Sequence, residues 1–163
     1  ENGCVCRDYE YKRLGTLSLI AGIDLLTGIA VPVVSETHKS SDFITLLKKL
    51  DEMYPEGDII RIICDNHSAH KSKEVQNYLA TKPEGRYTFV FTPKHASWLN
   101  LIECFFSKMT KQMLKGIRVK SKEELADRIY QYFDEVNAEP VVFHWTYKLD
   151  EIQQKEPEVN TAS

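Results

Sequence analysis

Two acidic residues stand at the edges of apolar segments and together could hold divalent metal ions. Asp65 directly follows residues 58–64, a short apolar run that predicts a strand buried on both faces. Glu103 lies inside a later apolar repeat that is typical of a helix. Hard cations such as Mg²⁺ prefer carboxylate oxygens, and pairs of such ions catalyse phosphodiester chemistry. The pattern therefore predicts a metal site for phosphodiester chemistry, formed by a strand end and a later helix.

Each acid also has a purely structural interpretation. The pair Asp65-Asn66 after a strand is equally typical of a turn or a helix cap. Glu103 falls between Leu99 and Phe106 in helical spacing, so we expect it at the margin of the packed face. An acid there is stable when it is paired, bound to metal or simply reaches water. The pattern alone leaves these interpretations open.

Cysteine and histidine residues near the two acids offer a rival, a structural zinc site. The candidate ligands are Cys64, His67, His70 and Cys104. Their C-x2-H-x2-H spacing does not match the usual structural zinc patterns. We therefore expect the two cysteines to act as small apolar residues.

A cationic segment follows Glu103. Residues 107–122 carry lysine and arginine but no acid, and Lys108, Lys111 and Lys115 follow the i, i+3, i+7 spacing of one helical face. This face is either a solvated helix surface or a stripe that contacts DNA phosphates beside Glu103.

Composition sets the class of protein. The 163 residues, 42% hydrophobic and 28% charged, suffice for one globular domain. The net charge of −3 counts mildly against a nucleic-acid-binding protein. No apolar run approaches the roughly 18 residues of a membrane span. The cysteine spacing forces no disulfide framework, which predicts a reduced, cytoplasmic setting.

Alternating strand and helix patterns must position these residues. The predicted strands are residues 16–24, 29–35, 58–64 and 87–92. Three predicted helices follow the cap candidates Ser40, Ser97 and Ser121, and a further helix is predicted over residues 72–80. The first two strands form a hairpin around Thr27-Gly28. This order predicts an α/β fold with a mixed sheet.

Both acidic segments resemble known motifs. Residues 64–72 (CDNHSAHKS) and 97–103 (SWLNLIE) are similar to the second and third acidic motifs of DDE transposases, in the mariner-like superfamily that includes many bacterial insertion sequences. Further similar segments are residues 11–16 (YKRLGT), 24–28 (DLLTG), 91–93 (FTP) and 143–146 (FHWT). Their order and separation extend the resemblance from about Tyr9 to Tyr147.

The resemblance implies an RNase H-like fold, a mixed sheet flanked by helices, and two-metal catalysis with Mg²⁺ or Mn²⁺ on double-stranded DNA. Such enzymes cut a strand at the transposon end and join the freed 3′ end to target DNA. Asp65 would be the second catalytic acid and Glu103 the third, both binding metal. The same motifs imply supporting or substrate-positioning roles for Asn66, His70 and Asn100.

One part of the family pattern has no match here. The family places its first acid on a central strand upstream of the hairpin, and nothing in residues 1–15 resembles that strand. Asp24 matches the family's second strand, where no catalytic acid is expected, and Asp8 is a weaker substitute. We therefore expect residues 1–150 to be an N-terminally truncated catalytic core and residues 151–163 a tail. With strand edges left unpaired, such a fragment would rearrange or dimerise through them.

Three functions remain open. The first is the catalytic core of a DNA transposase, which this chain alone would leave inactive. It would act as a homodimer on transposon ends and target DNA. We expect it in the bacterial cytoplasm, associated with the nucleoid and not with a membrane. The second is an inactive or domesticated remnant that binds DNA or oligomerises. The third is another RNase H-like nuclease, such as a ribonuclease or resolvase.

Overall fold

The computed structural model describes residues 15–91 and 100–142. Its elements are β1 (Ser18–Ile23), β2 (Ala30–Ser35), α1 (Ser40–Met53), β3 (Ile60–Cys64), a 3₁₀ helix (Ser68–Lys71), α2 (Lys73–Ala80), β4 (Tyr87–Phe91), α3 (Asn100–Met109), a π-helical segment (Thr110–Leu114) and α4 (Lys122–Ala138). The predicted strands and helices are present, and the 3₁₀ helix is an element that the sequence did not predict. Within the described ranges, no helix is long and apolar enough to cross a membrane. The predicted tail, residues 151–163, lies outside these ranges.

The first two strands form the predicted hairpin. β1 and β2 pair antiparallel, from Ser18 opposite Ser35 to Ile23 opposite Ala30. In the turn between them, Gly28 has a φ of +77° and donates its N–H to the carbonyl of Asp24 at 2.8 Å. A Cβ at Gly28 would lie 2.4 Å from the carbonyl oxygen of Val141. This turn therefore requires glycine for both its backbone conformation and its close contact.

β2 lies between two helices and contributes to two hydrophobic cores. Successive side chains of a strand point to opposite faces. Ala30 accordingly packs with Phe133 and other residues of α4, while Val33 packs with Leu47 and other residues of α1. The hairpin is thus a layer with α1 on one face and α4 on the other.

Hydrogen bonds fix α4 against β2. The side-chain amide of Asn137 donates to the carbonyl of Ala30 and accepts from its N–H, both at 2.8 Å. The Tyr130 hydroxyl accepts from the N–H of Val34 at 3.2 Å. These bonds satisfy backbone groups that would otherwise be buried without partners.

β3 and β4 form a parallel pair joined through α2. Their register runs from Ile60 opposite Tyr87 to Cys64 opposite Phe91. The prediction that this strand is buried on both faces was wrong, because no residue of β3 is fully buried, Arg61 is exposed, and Ile59, which lies outside β3, is 71% exposed. The physical reason is that Ile62 packs against the core of α1 and α2, whereas no such core covers the opposite face among the described residues.

The described strands form two sheets and not one. β1 pairs with β2 and β3 pairs with β4, and no described strand joins the two pairs. One antiparallel pair and one parallel pair agree with a mixed sheet in which no described strand lies between β1 and β3. Each of these two strands therefore has one edge that no strand of residues 15–91 and 100–142 covers.

Candidate active site

Asp65 lies directly after β3, at the carboxyl end of the parallel pair. Cys64, the last residue of β3, is opposite Phe91, the last residue of β4. Ligands of open α/β sheets bind at this end of the strands. The Asp65 side chain is 56% exposed, so its carboxylate is accessible from solvent.

Two histidines hold the Asp65 carboxylate in place. Its Oδ1 accepts the backbone N–H of His67 at 3.2 Å and lies 3.0 Å from Nδ1 of His70. The same Nδ1 is 3.2 Å from the carbonyl oxygen of Asp65. Because a carbonyl oxygen can only accept, Nδ1 of His70 carries the proton and donates. The His70 ring is packed against Phe43, with centroids 4.4 Å apart, which fixes the donor in place.

The 3₁₀ helix explains why these contacts form. His67 precedes it, and the ring Nδ1 of His67 accepts the N–H of Ala69 at 3.3 Å. The bond from His67 to Asp65 is a turn of the Asx type, so the turn interpretation of Asp65 is correct. That turn also leaves the carboxylate exposed, and it does not exclude metal binding. Asn66, inside the same turn, is exposed.

Glu103 lies in the first turn of α3 and is exposed. Its neighbours Ile102 and Phe106 are half-buried, so Glu103 stands at the margin of the packed face, as predicted. Asn100 is the first residue of α3, and its side chain lies outside the described part of the chain, as do residues 92–99 of the motif. In residues 15–91 and 100–142, no three or more His, Cys, Asp or Glu side chains gather to hold a metal.

Asp24, the substitute weighed for the missing first acid, has a structural role. Its Oδ1 accepts the N–H groups of Leu26 and Thr27 in the hairpin turn, and its Oδ2 accepts the Tyr54 hydroxyl at 2.6 Å. Burial raises the pKa of Asp24, but the hydrogen bonds from Tyr54 and the turn outweigh it and lower the pKa overall. Asp24 Oδ1 thus closes the hairpin turn, and Oδ2 holds the hairpin to Tyr54 at the end of α1.

Comparison with known proteins gives the family of this fold and site. Residues 1–126 match the family described as DDE superfamily endonuclease. This chain belongs to that family. It is similar to the "insertion element IS630 uncharacterized 39 kDa protein" of Shigella sonnei, with 26% identity over 123 residues that make up 76% of this chain and 35% of the relative. The DDE superfamily chain thus spans about a third of the length of this curated relative.

A solved structure supports the fold. The DDE superfamily chain is similar to a chain in the cryo-EM structure of a simian T-cell lymphotropic virus intasome in complex with PP2A regulatory subunit B56 gamma. The TM-score is 0.57 and the identity 15%, and the match covers 93% of this chain and 52% of that one. The predicted RNase H-like α/β fold is confirmed, as is the resemblance to DDE transposases of bacterial insertion sequences. The mariner-like assignment and the roles of individual site residues stay predictions.

The lysine stripe of the DDE superfamily chain differs from its prediction. α3 ends at Met109, a π-helical segment follows, and Lys115 lies after that segment in a turn. Lys108, Lys111 and Lys115 are all exposed, but they do not share one α-helical face. The inserted π turn changes the residue period, which spacing alone did not reveal.

The two cysteines of the zinc alternative lie in different surroundings. Burial, and secondarily the charge of Asp65, raises the pKa of the Cys64 thiol to about 12. Within residues 15–91 and 100–142, the candidate ligands Cys64, His67, His70 and Cys104 do not gather into a group of three or more that could hold a metal. The expectation that both cysteines act as small apolar residues fits the half-buried Cys64 and does not fit Cys104, which is exposed. It lies next to Glu103, outside the apolar face of α3.

Proposed function

We propose that this chain is the catalytic core of a mariner-like DNA transposase that cleaves DNA at transposon ends and joins the 3′ end to target DNA. The observation that carries the proposal is the Asp65 carboxylate, exposed at the end of β3 and oriented by His70, in a chain of the DDE endonuclease family. Metal-dependent nucleases need an accessible and fixed carboxylate of this kind.

The two acids fit a divalent metal. DDE superfamily enzymes generally use such ions, and both Asp65 and Glu103 present exposed carboxylates, the oxygen donors that Mg²⁺ and Mn²⁺ prefer. When bound, two such ions activate the attacking water or 3′-hydroxyl and stabilise the leaving oxygen. Asp65 and Glu103 would hold them, and the proton of His70 Nδ1 would keep the Asp65 carboxylate oriented.

The remaining residues would act on the DNA. Asn66 in the turn and Asn100 at the start of α3 would support the metal ligands or position the substrate. Lys108, Lys111 and Lys115 are exposed cations that would contact phosphates, although from separate positions and not from one stripe. We further propose that the protein acts as a homodimer on the two transposon ends, in the bacterial cytoplasm and close to the nucleoid.

Isosteric amide variants test the proposal. We expect Asp65→Asn and Glu103→Gln each to abolish Mn²⁺- and Mg²⁺-dependent nicking of a cognate transposon-end duplex, since each keeps the side-chain volume and removes the charge that binds metal. The assay uses this chain beside any longer natural protein that contains it, and circular dichroism verifies the fold. Glu84→Gln, an exposed acid in the turn before β4, is the matched control and should nick normally. Nicking that survives in both amide variants would contradict the proposed site.

A second function is favoured by the open strand edges. β1 and β3 each have one edge that no described strand covers, as expected for a domesticated remnant that oligomerises without cutting DNA. The same assay separates the two functions. DNA binding or self-association without nicking, in every length of the protein, would support the remnant.

A further inference from the structure

Lys71 is a cation near the carboxyl end of β3, as Asp65 is. None of the roles proposed above involves Lys71. Its Nζ lies 4.0 Å from the centroid of the Phe91 ring. We propose that Lys71 is a DNA-positioning residue, which binds a backbone phosphate next to the Asp65 carboxylate. This inference rests on the proposed function, because it concerns the DNA that the same site would cut.

The position of Lys71 follows from its neighbours. It is the last residue of the 3₁₀ helix, directly after His70, which is bound to Asp65. Phe91, beneath the Lys71 ammonium, is opposite Cys64 at the end of the parallel pair. The ammonium and the Asp65 carboxylate are therefore attached to the same end of β3 and β4.

The Lys71 ammonium is available for a phosphate. The side chain is exposed, and no ion pair within residues 15–91 and 100–142 involves it. The ring of Phe91 attracts the cation from one side but accepts none of its N–H groups in a full hydrogen bond. The contact also restricts a flexible side chain in advance, so less conformational entropy is lost when a phosphate binds.

The salt dependence of DNA binding tests the proposal. The probe is a short, fluorescein-labelled duplex of mixed sequence, followed by anisotropy with the full chain between about 50 and 200 mM salt. Losing one phosphate contact should make the slope of log K against log salt shallower by about 0.9 in Lys71→Met. Lys71→Arg should keep the wild-type slope, because arginine also binds phosphate and stacks on a ring.

Lys73→Met is the matched control. Lys73 is an exposed lysine at the start of α2, two residues after Lys71, and its ammonium lies over no aromatic ring of residues 15–91 and 100–142. The slope of log K against log salt for Lys73→Met should equal that of the wild type. Equal slopes for Lys71→Met and the wild type, or equal losses in Lys71→Met and Lys73→Met, would overturn the proposal.

Asp65→Asn separates this inference from the proposed function. If the variant still nicks the duplex, the proposed function fails, while the slopes of the Lys71 variants still decide whether Lys71 contacts phosphate. If Asp65→Asn binds DNA without nicking and Lys71→Met shows no change in slope, the inference alone fails. A wild-type chain that does not bind the duplex would overturn both.

Discussion

At the scale of single residues, Arg86 joins α1, β4 and the loop before β3. It is 4% exposed, and its Nε donates to Oδ1 of Asp51 at 3.2 Å. The guanidinium also donates to the backbone carbonyls of Tyr54, Pro55 and Asp58. One planar side chain thus satisfies several carbonyls of a tight loop. Arginine can do this because its guanidinium carries several N–H donors in a fixed plane.

Replacing Arg86 should destabilise the protein strongly. Arg86→Met keeps much of the apolar stem but leaves the Asp51 charge and the loop carbonyls without their buried donor. We expect the free energy of unfolding to fall by about 3 kcal/mol, as for other broken buried pairs. Urea denaturation measures it, with Arg61→Met on the exposed side of β3 as the control. A loss no larger than the control's would show that Arg86 is dispensable.

Asp51 predicts how stability depends on pH. Burial raises its pKa, but hydrogen bonds from Lys82, Tyr78 and Arg86 outweigh burial and lower it to about 2. Because the pKa is lower in the folded state than in the unfolded chain, the stabilisation is complete above about pH 4 and is lost as the pH falls toward 2. The contribution of the Asp51 carboxylate to the free energy of unfolding amounts to at most about 2 kcal/mol.

Thermal unfolding between pH 5 and 2 measures this loss. Asp51→Asn should flatten the decrease of melting temperature in that range, since its amide does not titrate. An exposed acid, Glu52, provides the control variant Glu52→Gln, whose profile should follow that of the wild type. Parallel profiles for Asp51→Asn and the wild type would contradict the assigned role.

Residue chemistry could be predicted from sequence where the signal is local. Asp65 and Glu103 each stand beside an apolar run, and this made them visible as candidates. Asp51 and Arg86 are 35 residues apart, and no local sequence pattern indicates that the two side chains pair. Pairing of this kind depends on how α1 docks onto β4, which is a property of the fold.

At the scale of elements, the start of α1 differs from its prediction. Ser40 was expected to cap the helix, but it is the first helical residue. The carboxylate of Asp42 instead accepts the N–H of Lys39 at 2.7 Å and the hydroxyl of Thr37 at 2.9 Å. Ser72 and Ser121 do cap their helices, each accepting an N–H three residues later. A serine before an apolar repeat locates the helix start to within a residue or two, and a nearby acid can take its place.

Variants of α1 distinguish the two capping residues. Asp42→Ala should lower the free energy of unfolding by about 1 kcal/mol, because it removes the bond that closes the first turn and a negative charge at the helix N-terminus. Asp42→Asn should recover part of the loss, since its side-chain oxygen still accepts. Ser40→Ala should have little effect in the same chemical denaturation, and a larger loss there than in Asp42→Ala would reverse the assignment.

At the scale of the whole molecule, the sheet pairing extends beyond what local patterns show. Apolar runs predicted each strand, and the turn around Thr27-Gly28 predicted the hairpin, because both are set by neighbours in sequence. Which strands lie side by side depends on distant segments, and only the family resemblance indicated a gap between β1 and β3. Within residues 15–91 and 100–142, the strands form two separate pairs, in agreement with that gap.

The edges of β1 and β3 that no described strand covers predict self-association. Sedimentation velocity over a micromolar concentration series should show the average sedimentation coefficient rising with protein concentration, because backbone N–H and C=O groups at open edges pair with a second copy. Added salt should leave this association largely intact, since it does not depend on exposed charges. A single monomeric species at every concentration would rule out the edges as an association surface.

The double hydrogen bond between Ala30 and Asn137 has a consequence for biosynthesis. The two residues are 107 positions apart, so on the ribosome β2 emerges long before the helix that covers one of its faces. α1 follows β2 directly and can cover the Val33 face during translation, while the Ala30 face packs in a cluster with residues of α3 and α4, which are made later. The nascent hairpin therefore passes through a half-covered state, in which chaperones and neighbouring nascent chains compete with α4 for the same apolar surface.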